Sequence, residues 1–140
     1  MLNNEEIVRE LYAAAEGSGK DIAKLVSFFS DEGYMCDIPS GLKLHGQAIG
    51  DAIDAFARAF PDVHRELFNI YVAENVVVVE LAIRTHKGEL TLASGTVAPT
   101  GKAIDVPCCD VFHVESGKVV SFHCYNAASV MQQQLSARAL

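Results

Sequence analysis

Asp110 stands in the stretch Asp105-Val106-Pro107-Cys108-Cys109-Asp110-Val111-Phe112-His113-Val114. Its β-branched and aromatic residues predict a strand, whose side chains alternate, so Cys108, Asp110, Phe112 and Val114 share one face. The following Glu115-Ser116-Gly117-Lys118 is a hairpin link. Gly117 suits a three-residue loop closed by a left-handed glycine bulge. That register pairs Val114 with Lys118, Phe112 with Val120, Asp110 with Phe122 and Cys108 with Cys124. A two-residue loop shifts the register by one and sets His123 opposite Asp110. The first register is preferred, because it keeps Phe112, Val120, Phe122 and Cys124 together on the Asp110 face. A carboxyl on so apolar a face loses hydration, and its pKa rises. It then becomes a proton donor or a general acid/base. The structural alternative is a strand Asp facing solvent.

Two other residues carry possible chemistry. Asp37 lies in Tyr34-Met35-Cys36-Asp37-Ile38-Pro39-Ser40-Gly41, just before a Pro/Gly loop. On its own it reads as a turn residue. Tyr12 sits on a helix whose core side is marked by Ile7, Leu11 and Ala15, and it borders Val8 and Ala15 at helical spacing. On its own it reads as an amphipathic boundary residue. The histidines say less. His45 precedes a helix start and suits packing or capping. His64 follows a turn and either reaches a pocket mouth or is solvated. His113 and His123 fall on the face opposite Asp110, and His86 is in a turn. Cys36, Cys108, Cys109 and Cys124 form no C-x-x-C and no zinc spacing, so each is expected as a free, buried thiol. No metal site, phosphate loop or dinucleotide fingerprint is recognisable, and no cofactor is expected.

The elements that must hold these residues follow from periodicity. Asn3 or Asn4 caps a first helix with Glu5 and Glu6 in its first turn, ended by Gly17-Ser18-Gly19. Asp21 starts a second, with Ile22, Leu25, Val26 and Phe29 at helical spacing. A third runs from about Gln47 to Phe60, striped by Ile49, Ile53, Phe56 and Phe60 and closed by Pro61. Strands are predicted over Glu66–Ala73, Val76–Thr85, Glu89–Ala98, Ala103–Val114 and Val119–Asn126. Their links are His86-Lys87-Gly88, Pro99-Thr100-Gly101-Lys102 and the Gly117 turn. Gln132–Leu140 reads as a frayed tail. Helices first and antiparallel strands after predict an α+β fold: three N-terminal helices packed on a curved, mostly antiparallel sheet. Such a sheet wrapped around a helix leaves a cone whose open end is a natural ligand pocket.

Composition narrows the partners. The 140 residues fit one domain over positions 1–140, able to fold without disulfides or metal. Half are hydrophobic and 21% charged, a globular balance rather than a disordered one. Eleven Lys and Arg against eighteen Asp and Glu give a net charge of −7. This argues against nucleic acid and against an anionic membrane surface, both of which need clustered cations. No apolar stretch approaches a membrane span, and the acidic N-terminus lacks a signal-peptide core, so a cytoplasmic location is expected. Val76, Val78, Ala82, Val111 and Val119 make the outer sheet face too apolar for full solvation, which predicts a homodimer.

The whole chain resembles the nuclear transport factor 2-like superfamily, in particular the SnoaL-like polyketide cyclases and the ketosteroid isomerases. Three stretches carry the resemblance: Asp37 to Gly41 with Leu44-His45-Gly46-Gln47-Ala48-Ile49; Phe60-Pro61-Asp62-Val63; and Val106 to Phe112 with Gly117-Lys118-Val119-Val120-Ser121. The resemblance implies a cystatin-like α+β cone around an apolar pocket. Tyr12, Asp37 and Asp110 match the isomerases' helix tyrosine, base aspartate and late-strand protonated aspartate. It implies that Asp37 removes an acidic C–H proton beside a ketone, while Tyr12 and neutral Asp110 hold the enolate oxygen. In SnoaL-like cyclases the Asp110 position instead serves as acid/base for an aldol closure. Phe56, Phe60, Phe112, Val120, Phe122, Cys108 and Cys124 are the expected substrate-binding wall for an apolar small molecule. The chain departs from the isomerases in reading Asp37-Ile38-Pro39 rather than Asp-Pro, and in having no Trp.

Three readings result. One is an isomerase or cyclase that stabilises the enolate of an apolar ketone. The second is a non-catalytic binding or dimerisation module of the same fold. The third is a hydrolase or dehydratase. An epoxide hydrolase of this fold is expected to need an Asp-Arg-Asp arrangement, and Arg84 faces away from Val79, Leu81 and Ile83.

Overall fold

The computed structural model of the protein describes residues 2–17, 20–84, 90–92, 95–97 and 104–136. Helix α1 (Asn4–Ala15) opens with a capping box. The Asn3 side chain accepts from the Glu6 N–H at 2.8 Å, and Glu6 Oε1 accepts from the Asn3 N–H at 3.0 Å. Its buried face is Ile7, Val8, Leu11, Tyr12, Ala14 and Ala15, so Tyr12 belongs to the core side rather than the boundary. The helix end is fixed at Gly17, whose N–H reaches the Val63 carbonyl at 3.0 Å. A Cβ there would stand 2.3 Å from the Pro61 carbonyl oxygen, so only glycine permits this approach. Helix α2 (Ile22–Ser27) is capped by Asp21 as expected, and buries Leu25.

The chain then turns to strand earlier than its sequence pattern suggests. Phe29 ends no helix; it opens β1 (Phe29–Asp37). Strand β2 (Leu42–His45) follows across the Pro39-Ser40-Gly41 turn, antiparallel to β1. Helix α3 (Gln47–Ala59) starts at Gly46, which makes no side-chain cap, so His45 is a strand residue and not a cap. Phe60 is its C-cap.

Strands β3 (His64–Ala73), β4 (Val76–Arg84), β7 (Asp105–Glu115) and β8 (Lys118–Asn126) lie close to their expected spans. The expected Glu89–Ala98 strand is described only as β5 (Leu90–Leu92) and β6 (Gly95–Val97), which pair with each other. The links at 86–88 and 99–102 lie outside the described residues. Helix α4 (Ala128–Ser136) occupies part of the expected tail, of which 137–140 lie outside the described residues.

The main sheet runs β2-β1-β8-β7-β4-β3. All neighbours are antiparallel except β1 and β8, so the sheet is mixed. The fold is α+β, with the helices packed on one face of an open, curved sheet. Register at Asp110 follows neither expected hairpin. Ser116 and Gly117 both have positive φ, 51° and 77°, and form a two-residue turn between Glu115 and Lys118. A bulge then shifts the ladder between His113 and Val114. Asp110 therefore pairs with Cys124, and Phe112 with Phe122. The bulge restores the side-chain parity that the short turn would have reversed, so Asp110, Phe112, Phe122 and Cys124 still share a face. It also places Val119 rather than Val120 inward: Val119 is fully buried, which corrects its expected place on the outer face.

Candidate active site

The inner face of the sheet and helices α1 to α3 enclose a cavity of about 270 Å³. Its wall is mostly apolar, with Leu11, Leu25, Met35, Leu44, Ile49, Ile53, Phe56 and Phe122 contributing. Six polar or thiol-bearing residues interrupt it: Tyr12, Asp37, Arg65, Asp110, Cys124 and Asn126. An apolar pocket with a few convergent polar groups is the usual form of a small-molecule site.

Asp110 is the deepest of these, 2% exposed on a strand flanked by β4 and β8. Tyr12 Oη donates to its Oδ2 at 2.6 Å, and the Cys108 thiol donates to its Oδ1 at 3.2 Å. Burial pushes the Asp110 carboxyl above the ordinary carboxylate range; the hydrogen bonds from Tyr12 and the Cys108 and Cys124 thiols, and the charge of Arg65, oppose this only in part. The same burial, with Asp110 alongside, pushes the Tyr12 phenol upward, so Tyr12 is a proton-bearing donor. Phe112 lies beneath, fully buried, edge-on to Tyr12 with centroids 5.7 Å apart and stacked on Phe122 at 4.3 Å.

Asp37 reaches the cavity from the end of β1, beside Cys124 in the parallel ladder. Asn126 Nδ2 donates to its Oδ1 at 2.6 Å and Ser40 Oγ to its Oδ2 at 2.6 Å. The two carboxyls are joined by a chain of contacts along β8 and β7. Asn126 Nδ2 lies 3.3 Å from Cys124 Sγ, Cys124 Sγ lies 3.7 Å from Cys108 Sγ, and Cys108 donates to Asp110. The Cys108 thiol is held well above its usual pKa by its contact with Cys124 and then by burial, which keeps it a neutral donor. Cys108, Asp110 and Cys124 offer donor atoms within 4.8 Å of one another, close enough to hold a metal ion, a juxtaposition their sequence spacing does not show. In the structure they bond to one another, and among the described residues no buried side-chain nitrogen or oxygen lacks a partner.

Of the expected wall residues, Phe56, Phe122 and Cys124 line the cavity. Phe112 and Cys108 lie behind it, the first as core and the second as support for Asp110. Phe60 stacks on Phe56 at 4.9 Å without reaching the wall, and Val120 sits at the bulge away from it. His64 is half exposed and pairs with Glu16 and Glu66 on the outside. His123 accepts or donates to Tyr34 Oη at 2.9 Å on the opposite sheet face. His86 lies outside the described residues. Arg84 pairs with Asp105 away from the cavity. Asn126 and Arg65 are wall residues that the motif reading passes over. A period-two reading of β3 reveals Arg65, since Val63, Arg65 and Leu67 alternate with exposed His64 and Glu66.

Helices packed against an open, curved, mixed sheet are the architecture of the nuclear transport factor 2-like superfamily. Residues 8–122 match the family model of the SnoaL-like domain, and the chain belongs to that family. Solved structures agree on the fold. A proposed SnoaL-like polyketide cyclase from Jannaschia sp. CCS1 is 22% identical, with 96% of this chain and 92% of that one covered at a TM-score of 0.76. A protein of ketosteroid isomerase-like fold from Catenulispora acidiphila, solved with trimethylamine, is 20% identical, with 99% and 98% covered at 0.75. IdmH, a proposed polyketide cyclase from Streptomyces antibioticus, is 16% identical, with 94% and 96% covered at 0.78. No curated protein matches the sequence. Among the described residues no helix is long and apolar enough to cross a membrane.

Proposed function

We propose that the protein is a proton-transfer enzyme that forms and stabilises the enolate of an apolar ketone, for isomerisation or aldol cyclisation. The observation that carries this is the placement of Asp37 and Asp110 on one apolar cavity in opposite environments. Asp37 is half-buried and held by Asn126 and Ser40. Asp110 is enclosed, and burial favours its protonated form. In this reading Asp37 removes the proton from the carbon beside the carbonyl. The Asp110 carboxylic acid donates a hydrogen bond to the developing enolate oxygen, and Tyr12, bonded to Asp110, positions it and strengthens that donor. The enolate then takes that proton back from Asp37 at another carbon, or its carbon attacks a second carbonyl and the resulting alkoxide takes the proton. The dry wall strengthens each of these interactions. A cavity of about 270 Å³ suits a compact ring system of roughly two or three fused rings.

A second reading, a small-molecule carrier, is favoured by one observation. Tyr12, Asp110 and Asp37 are already satisfied by protein partners, as in a site that holds its ligand by shape. Deuterium exchange separates the two. With 1-tetralone as probe in heavy water, the enzyme reading expects exchange at the α-carbon, lost in Asp37→Asn. Binding without exchange favours the carrier.

The protein is further proposed to form a homodimer through the outer sheet face, where Phe68 and Tyr71 of β3 and Tyr125 of β8 are exposed. All four cysteines are free thiols, which supports a cytoplasmic location.

A further inference from the structure

Arg65 is the one cation on the described cavity wall, and nothing in the enolate chemistry requires it. It opens β3 on the inward face, opposite Ile83, where the next inward residues are Leu67 and Ile70. Its Nη1 donates to the Ala15 carbonyl at the end of α1, 3.0 Å away, and its guanidinium lies 5.9 Å from the Phe56 ring centroid. The neighbouring Glu16 does not pair with the guanidinium. Its Oε1 accepts the Arg65 backbone N–H at 3.1 Å, and its Oε2 faces His64 Nδ1 at 3.0 Å. Two acidic groups share the cavity wall with Arg65: Asp110, whose buried carboxyl favours the neutral form, and Asp37, whose oxygens accept from Asn126 and Ser40. A guanidinium carries five donors, and only one has a protein partner among the described residues. The remainder of a fixed, half-buried fork is therefore available to the cavity.

We propose that Arg65 is an anion-recognition residue and that the substrate is an acidic ketone, bearing a carboxylate or equivalent oxyanion toward the start of β3. This rests on the reading of the cavity as a ketone site and adds the substrate's charge. The guanidinium would take the oxyanion in a two-pronged, charge-assisted contact, while the Ala15 bond and the Phe56 ring fix its direction. Holding the far end of the substrate this way sets which carbon meets Asp37. Two structural roles compete: capping the C-terminal carbonyls of α1, and blunting the exposed edge of β3 with an inward charge. Neither distinguishes an acid from its ester.

The test compares 6-carboxy-1-tetralone with its methyl ester at pH 7 by calorimetry on the full-length protein. The carboxylate should bind at least about tenfold more tightly. Arg65→Gln keeps an N–H for the Ala15 carbonyl; it should abolish the preference for the carboxylate, bringing acid and ester to about equal affinity. Arg65→Lys should keep part of the preference. Equal binding of acid and ester by the wild type, binding of neither, or a preference that survives in a folded Arg65→Gln protein overturns the proposal. A carboxylate bound selectively but never exchanged at its α-carbon supports Arg65 and counts against the enzyme reading alone.

Discussion

Tyr12 Oη and Asp110 Oδ2 are 2.6 Å apart although 98 residues separate them in the chain. The pair ties α1 to a strand flanked on both sides and closes the floor of the cavity. It places a proton-bearing phenol against a carboxyl that burial keeps from ionising easily.

The raised Asp110 pKa makes folding stability pH-dependent with a definite sign. The folded state holds this proton more tightly than the unfolded chain. Stability from it is therefore full below about pH 3.9 and falls as pH rises toward the folded pKa, by about 1.4 kcal/mol per unit within that window. Asp110→Asn removes the ionising group and keeps an acceptor for Tyr12. It should leave stability near neutrality unchanged or higher and flatten this part of the pH profile. Chemical denaturation of both proteins between pH 4 and pH 8 measures it; an Asn variant that loses several kcal/mol at pH 7 contradicts it.

Tyr12→Phe leaves Asp110 Oδ2 without its donor in a buried site. The expected cost is about 1–3 kcal/mol of stability. Losing a donor to the charged form should also push the Asp110 pKa further up. A carboxyl-carbon NMR titration of Asp110 in the variant reads this directly, and an unchanged or lowered midpoint rules it out.

Asn126→Ala should release one oxygen of Asp37 and loosen the contact to Cys124 without disturbing the core, since Asn126 is only part-buried. Under the proposed mechanism the α-exchange rate of 1-tetralone should fall by on the order of 10-fold to 100-fold, through misplacement of the base. Thermal unfolding should shift by only a few degrees. An exchange rate equal to wild type would separate Asn126 from the chemistry.

Gly17→Ala tests the joint that seats α1. The added methyl would meet the Pro61 carbonyl at 2.3 Å, a backbone atom unable to rotate away. Destabilisation of about 1–3 kcal/mol or more is expected, measured by urea unfolding. A neutral substitution would show that the α1 end and the turn after α3 are free to separate.

The sequence by itself determined the parts governed by local rules. Caps at Asn3 or Asn4 and at Asp21, the apolar stripe of α3 and the alternating runs of β3, β4, β7 and β8 each encode their own element, the structure choosing Asn3. Alternation alone also placed Asp110 on an apolar face. Tertiary structure decided the rest. Strand β1, Phe29-Ser30-Asp31-Glu32-Gly33-Tyr34-Met35-Cys36-Asp37, has little strand character of its own and forms because β8 offers it a parallel edge. The bulge at His113 and Val114, invisible in composition, chose Val119 over Val120 for the core and Cys124 as the partner of Asp110. The meeting of Tyr12, Asp37, Asn126, Arg65 and Asp110 around one cavity depends on long-range packing between α1, β1, β3, β7 and β8. Residue spacing along the chain carries no distance across a sheet, so only the folded arrangement could bring those side chains together.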